Sequence, residues 1–282
     1  MVLGNLDKLE NLSEGHCSLI LIPLFFIMLR ASSMEPTLSR SEISRQIVLV
    51  CHQLAAKGFV TATDGNVSAL LANGNILVTP SALNKGRVTE NDLVEVKGDG
   101  TPVTLSRKAS TELDMHLFIY SQRPDVHAVV HAHPTYATGF ATARIPLSEC
   151  VFPEVIVGLG AIPLAPYATP STKEVSATLT PFVKTSDAIL LSNHGVVTYG
   201  KDLGDAYFKM EKVEHAAHIT FVARMLGGEK ILDEKDIAKL REICETSYGK
   251  DFSQKVACEP EPHQKISDEE SIRKMIREIL QK

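Results

Sequence analysis

Ten histidines occur in the 282-residue chain, and three of them have neighbours that suggest a shared ion. His131-Ala132-His133-Pro134 ends a short apolar run, Val126–His131, that reads as a buried strand. Residues i and i+2 of a strand point to one face, so both imidazoles can meet one ion. A third histidine lies in Ser192-Asn193-His194-Gly195, after the apolar run Ala188–Ser192. The glycine there is expected to let the backbone turn sharply. Neutral imidazole is a common zinc ligand, and three of them leave the fourth tetrahedral position open for chemistry. A lone H-x-H pair is also a common pattern for hydrogen-bonded core histidines. His116, His127, His215 and His218 lack any such setting and read as structural or surface residues.

Three polar clusters could serve those histidines. Ser110-Thr111-Glu112 opens an expected helix over 110–122. Two hydroxyls and free backbone N–H groups at a helix start suit an anion such as phosphate. Glu112 beside a metal could act as a general base, because the ion acidifies the proton it removes. The plainer reading is a helix-capping carboxylate. Gly65-Asn66-Val67-Ser68 offers a close backbone approach and two hydrogen-bonding side chains. Thr79-Pro80-Ser81 ends an expected strand with another hydroxyl. Each of these last two is also ordinary turn chemistry.

The elements that would position these residues alternate along the chain. Ser39 and Glu42 form a capping box before an amphipathic helix. Asn75–Thr79 and Leu93–Lys97 read as strands, the second closed by a Gly98–Asp99–Gly100 turn. Helices are expected over 110–122, Thr135–Ala143 and 202–226, and further strands over Ala161–Ala165 and Ala188–Ser192. This pattern predicts a single α/β domain with a mixed, largely antiparallel central sheet flanked by helices.

The two ends differ from the middle. Residues 19–29 (LILIPLFFIML) are too few to span a bilayer, and the preceding stretch is not basic enough for a signal peptide. A leader over 1–33 is therefore expected to be disordered and dispensable, or misassigned with translation starting at Met34; a targeting segment or an ordered extension is the alternative. The catalytic domain would run over 34–250 and a Pro/Glu-rich linker over 251–266. Ser267 and Glu270 then cap an amphipathic helix over 267–282, with Ile272, Met275, Ile276, Ile279 and Leu280 on one stripe. Such a tethered helix is expected to dock on its own body, on a sister subunit or on a separate partner. With 29 basic and 34 acidic residues, the net charge of −5 argues against a nucleic-acid partner. The five scattered cysteines form no C-x-x-C pair and suggest free thiols in a cytoplasmic protein.

Taken in order, G-N-x-S, T-P-S, S-T-E, H-x-H-P, P-Y-A-T and N-H-G resemble the class II aldolase/adducin family, and within it the fuculose-1-phosphate aldolase type. The resemblance covers roughly residues 40–245. It implies a Zn2+ ion on His131, His133 and His194, and an acid/base carboxylate at Glu112. It implies a phosphate cradle from Gly65, Asn66, Ser68, Ser81, Ser110 and Thr111, and a homotetramer with interfacial active sites. The implied reaction is retro-aldol cleavage of a deoxy-ketose 1-phosphate to dihydroxyacetone phosphate and an aldehyde such as lactaldehyde. The same scaffold also carries sugar-phosphate 4-epimerases, methylthioribulose-phosphate dehydratases and sugar-acid phosphate decarboxylases. Glu112 speaks against the epimerase, which resembles this family but carries aspartate there. A non-catalytic, adducin-like module predicts loss of the histidines, and all three are present. The tail resembles encapsulation peptides, which implies a shell or scaffold partner and a place inside a bacterial microcompartment. There are departures. Phe152 stands where the aldolase has a tyrosine near the aldehyde, and Ala82 where it has glycine. Tyr167, in the P-Y-A-T motif, is the remaining phenol expected to help in catalysis.

Overall fold

The computed structural model describes residues 38–103 and 106–248. The first helix, α1 (Arg40–Ala56), starts at the expected capping box: Ser39 N donates to Glu42 Oε2 at 2.7 Å, and Glu42 N donates to Ser39 Oγ at 3.3 Å. Its apolar stripe, Ile43, Ile47, Val50, Cys51 and Leu54, is buried.

Seven strands follow in one sheet: β1 (Asn66–Leu70), β2 (Ile76–Val78), β3 (Val94–Val96), β4 (Ala128–Ala132), β5 (Leu164–Ala165), β6 (Ala188–Leu191) and β7 (Gly195–Gly200). Their spatial order is β3-β2-β1-β4-β7-β6-β5. Every pairing is antiparallel except β5 with β6. The expected mixed, largely antiparallel sheet is thus observed. Helices α2 (Leu113–Gln122), α3 (Thr135–Thr142), α4 (Pro153–Gly158), α5 (Lys173–Leu179), α6 (Leu203–Met225) and α7 (Glu234–Tyr248) connect or follow the strands.

The central strands are mostly apolar because both faces are covered, with Asn66, Ser68, His131 and Thr198 as buried polar exceptions. On one face Val67, Val130, Ala132, Val196 and Leu190 pack with Ile47 of α1, Phe140 of α3 and Met210 of α6. On the other, Val129, Val197, Tyr199 and Ile189 pack with Met115 and Ile119 of α2 and Leu179 of α5. The register pairs Asn66 with His131 across β1 and β4. That pairing brings the G-N-x-S segment beside the first histidine.

The expected elements are present with trimmed ends, and β5 keeps only the last two residues of Ala161–Ala165. Five elements are absent from the sequence reading: β1, β7, α4, α5 and α7. Asn66-Val67-Ser68 reads as an anion loop, yet it opens a central strand paired on both sides, with Asn66 at the cavity wall and Ser68 buried beneath it. The leader over 1–33, the linker over 251–266 and the helix over 267–282 lie outside the described residues. Cys51 keeps a buried thiol and the Cys244 thiol donates to Val157 O at 3.2 Å, whereas Cys150 is disulfide-bonded, so the expectation of free thiols fails there. No described helix is long and apolar enough to cross a membrane.

Candidate active site

The three histidines converge. One ring nitrogen from each of His131, His133 and His194 lies within 4.8 Å of the others. The Nε2 atoms of His131 and His133 are 3.1 Å apart. Two nitrogens bound to one tetrahedral zinc would stand roughly 3.3 Å apart, so the spacing fits. His131 Nδ1–H donates to Val196 O at 2.8 Å, which leaves Nε2 bare and aimed at the cluster. Burial lowers the His131 pKa to about 3 and also lowers that of His133. Both rings are therefore held in the neutral form that a metal needs.

Local backbone explains the convergence. His131 lies in β4, but His133 lies just past it, with its N–H donating to Phe59 O at 2.8 Å. The chain then enters α3, whose first turn is pinned by Glu214 of α6. That carboxylate accepts from Tyr136 N at 3.0 Å and Ala137 N at 2.8 Å. The turn before β7 is made by Asn193 at φ 56°, not by Gly195. Gly195 serves close approach instead. A Cβ there would stand 2.5 Å from His133 Cδ2 and 2.6 Å from Ala132 O. Gly65 combines both needs, with φ +72° and a Cβ position 2.9 Å from His131 O.

Glu112 is the N-cap residue of α2, yet its side chain makes no capping hydrogen bond. It turns inward instead. Its Oε1 is 3.1 Å from His194 Nε2, its Oε2 is 3.4 Å from His131 Nε2, and Asn66 Nδ2 donates to Oε2 at 2.8 Å. Burial pushes its pKa up. Hydrogen bonds from the His194 ring and the Asn66 amide, with the positive charge that either imidazole would carry when protonated, outweigh that and hold the carboxyl well below the usual range. Glu112 is therefore an ionised carboxylate against two metal-competent imidazoles.

A cavity of about 320 Å³ opens beside this cluster. Gly65, Asn66, Ser81, Ser110, Thr111, Glu112, His133 and His194 all line it. A backbone bridge between Pro80 and Ala109 aligns the serines, with Ser81 N donating to Lys108 O at 2.9 Å. Ala82 takes φ 54° in the turn that follows, a left-handed conformation costing an alanine roughly 1–2 kcal/mol. Two predicted residues are elsewhere. Ser68 is fully buried and bonds His116 Nδ1 at 2.7 Å and the Tyr120 hydroxyl at 2.8 Å, beneath the cavity. Tyr167 is 51% exposed and does not line the cavity. Phe152 also lies outside it, packed against the core with His215 at a 6.0 Å ring separation.

The sequence reading misses three residues here. Lys85 lines the cavity, is 2% exposed, and ties two flanking loops by donating to Thr63 O at 2.9 Å and Leu83 O at 2.8 Å. Nothing in its neighbours signals that role. Ser171 donates to Thr111 Oγ1 at 2.9 Å, and Asp64 Oδ2 is 3.8 Å from His133 Nδ1. His116, expected to be structural or surface, is fully buried and hydrogen-bonded to Asn66 and Ser68, one helical turn after Glu112.

Known proteins share this fold. Residues 45–221 match the family described as "Class II Aldolase and Adducin N-terminal domain". The chain is 33% identical over 208 residues to a 3-oxo-tetronate 4-phosphate decarboxylase from Escherichia coli, spanning 72% of this chain and 94% of that one. It is also 33% identical over 181 residues to an L-fuculose phosphate aldolase from Methanococcus maripaludis, spanning 64% and 96%. The solved structure of an L-fuculose 1-phosphate aldolase superposes with a TM-score of 0.67 at 30% identity, covering 73% of this chain and 97% of that one. With its sheet, its three-histidine cluster and these matches, the chain belongs to the class II aldolase and adducin family.

Proposed function

We propose that the protein is a zinc-dependent lyase that cleaves a deoxy-ketose 1-phosphate of the fuculose 1-phosphate type. The products are dihydroxyacetone phosphate and an aldehyde such as lactaldehyde. One observation carries this reading: the ionised Glu112 carboxylate stands against His131 and His194 at the edge of a hydroxyl-lined cavity. Zinc held by His131, His133 and His194 would supply Lewis-acid stabilisation of negative charge on the substrate's oxygens. In the condensation direction, Glu112 accepts a proton from the hydroxymethyl carbon of dihydroxyacetone phosphate. The carbon–hydrogen electron pair becomes an enediolate, which attacks the aldehyde carbon, and the new alkoxide takes up a proton. Cleavage is the reverse. Gly65, Asn66, Ser81, Ser110 and Thr111 hold the phosphate, and Lys85 adds a buried positive charge.

A second reading is decarboxylation of a phosphorylated 3-oxo sugar acid, and Phe152 favours it. Phenylalanine exchanges no proton, and loss of carbon dioxide requires none at the departing fragment. It generates the same kind of enediolate. The 33% identity to the Escherichia coli decarboxylase supports the same reading. In the aldolase reading, Tyr167 would reach the aldehyde side only across a subunit interface, because it lies outside its own chain's cavity. A homotetramer is part of this proposal, supported by Phe208, Met225 and Leu226, which are 63%, 73% and 82% exposed around α6. So is a cytoplasmic enzyme whose tail binds a microcompartment shell or scaffold.

The test is to load the protein with zinc and offer fuculose 1-phosphate, rhamnulose 1-phosphate, ribulose 5-phosphate, methylthioribulose 1-phosphate and 3-oxo-tetronate 4-phosphate. Triose phosphate from the first pair is the expected result. Triose phosphate plus carbon dioxide from the oxo acid alone selects the second reading. An epimer or a dehydrated product alone overturns both. Deleting residues 257–282 should leave turnover intact if the tail is an address.

A further inference from the structure

Behind Glu112 runs a chain of side chains that the reaction itself does not consume. Asn66 is 2% exposed, and both His116 and Ser68 are fully buried. Asn66 Nδ2 lies 2.8 Å from Glu112 Oε2, and Asn66 Oδ1 lies 2.5 Å from His116 Nε2. His116 Nδ1 lies 2.7 Å from Ser68 Oγ, which lies 2.8 Å from the Tyr120 hydroxyl.

Every donor in this chain follows from one end. An ionised carboxylate only accepts, so Asn66 must turn its nitrogen toward Glu112. Its carbonyl oxygen then faces His116 and only accepts, so His116 must carry its proton on Nε2. Full burial disfavours a charged ring and lowers the His116 pKa to about 4. Nδ1 is therefore bare and accepts from Ser68 O–H, whose oxygen accepts in turn from Tyr120 O–H. Asn66 keeps a second N–H, with no protein partner among the described residues, at the wall of the cavity.

We propose that His116 is a positioning residue: through its Nε2–H it locks the Asn66 amide so that only donors face Glu112 and the substrate's anionic group. The proposal rests on the reading of Glu112 and Asn66 as working residues of the site. Without this lock the amide is free to turn its oxygen toward the carboxylate. Glu112 would lose a hydrogen bond, and the cavity wall would present an acceptor to an anion. Ser68 and Tyr120 hold the tautomer and touch no substrate.

Two measurements test this. The first is nitrogen-15 NMR of histidine-labelled full-length protein at pH 7, with the His116 signal identified by its loss in His116→Gln. A neutral ring protonated on Nε2 is expected, and an Nδ1–H tautomer or an imidazolium overturns the proposal. No substrate enters this arm, so it stands even if the proposed substrates fail. The second is a double-mutant cycle on turnover. His116→Leu should lower kcat/KM by about 10–100-fold, the range for lost outer partners of a site. His116→Gln, which keeps an N–H donor, should recover most of that. In an Asn66→Ala background, His116→Leu should add no further loss, because its effect passes through Asn66. Additive losses, or a His116→Gln variant as poor as His116→Leu, would show a merely structural role. Wild-type protein inert toward every sugar phosphate, with the Nε2–H tautomer present, would count against the substrate reading alone.

Discussion

Gly195→Ala is the sharpest test of how the metal cluster is built. The added methyl would lie 2.5 Å from His133 Cδ2 and 2.6 Å from Ala132 O, where ordinary contact begins at 3.4 Å. The deficit is about 1 Å on both sides. Ala132 is strand backbone, paired with Val196 in the β4–β7 ladder, so it cannot yield alone. The imidazole must move instead, and a metal–nitrogen bond tolerates only about 0.2 Å. Zinc affinity should fall at least as far as when a ligand's outer partner is lost, about 10–100-fold or about 1.4–2.8 kcal/mol. Overpacking should cost the metal-free fold about 1–3 kcal/mol. For a chain of this size that lowers the melting temperature by roughly 2–12 °C. Gly139→Ala is the control: it lies in α3 with nothing within 4 Å of its Cβ position, and alanine there should gain up to about 1 kcal/mol. Zinc affinity is read by chelator competition, and the fold by circular dichroism on metal-free protein. A Gly195→Ala variant that melts lower but binds zinc as tightly as wild type would refute the reasoning.

Two further predictions separate binding from chemistry. His133→Ala should lose metal, measured as zinc per chain after dialysis, whereas Glu112→Gln should retain metal and lose about 10²–10⁴-fold in kcat. A Glu112→Gln enzyme with near-normal turnover would remove the acid/base assignment. Lys85→Met should raise KM for a phosphorylated substrate by about 10–100-fold, the worth of a charged hydrogen bond, and affect kcat less. An unchanged KM would leave Lys85 as a strut between the Thr63 and Leu83 loops.

The chemistry of the site was more legible in the sequence than its framework. H-x-H-P and N-H-G carry their meaning in residue type, since few other roles place histidine beside glycine and proline at strand ends. The framework signals were weaker where function had altered them. β1 escapes notice because Asn66 and Ser68 break its apolar pattern, the first at the cavity wall and the second bonded to His116 beneath it. Ser68 shows the converse limit. Its i, i+2 spacing from Asn66 puts both on one face of β1, but depth along that face separates a cavity wall from a buried support. Gly195 was visible as a special residue, yet the reason is contact with a distant ring, which no local pattern encodes. Lys85 had no signal because its partners are backbone carbonyls, and these leave no trace in residue type.

These placements also bear on why one scaffold hosts several reactions. The residues that face the cavity come from β1 and the loop before it, the segment after β2, the segment before α2, the β4 end, the β5–α5 segment and the β6–β7 turn, several of them tied by the sheet or by the Pro80–Ala109 bridge. In the proposed reading they hold the phosphate and receive the proton of an enediolate. That is the half of the substrate that aldol cleavage and decarboxylation have in common. The residues singled out for the departing half, Phe152 and Tyr167, lie outside the cavity, on α4's N-terminal side and on the segment between β5 and α5. Neither side chain lines the cavity, although Pro170 and Ser171 of the same β5–α5 segment do. A change of leaving group then requires no change in the sheet, which is consistent with equal 33% identity to a decarboxylase and an aldolase. In the proposed reading the leaving group is then set by residues outside the cavity, and the enediolate chemistry by the residues at the strand ends.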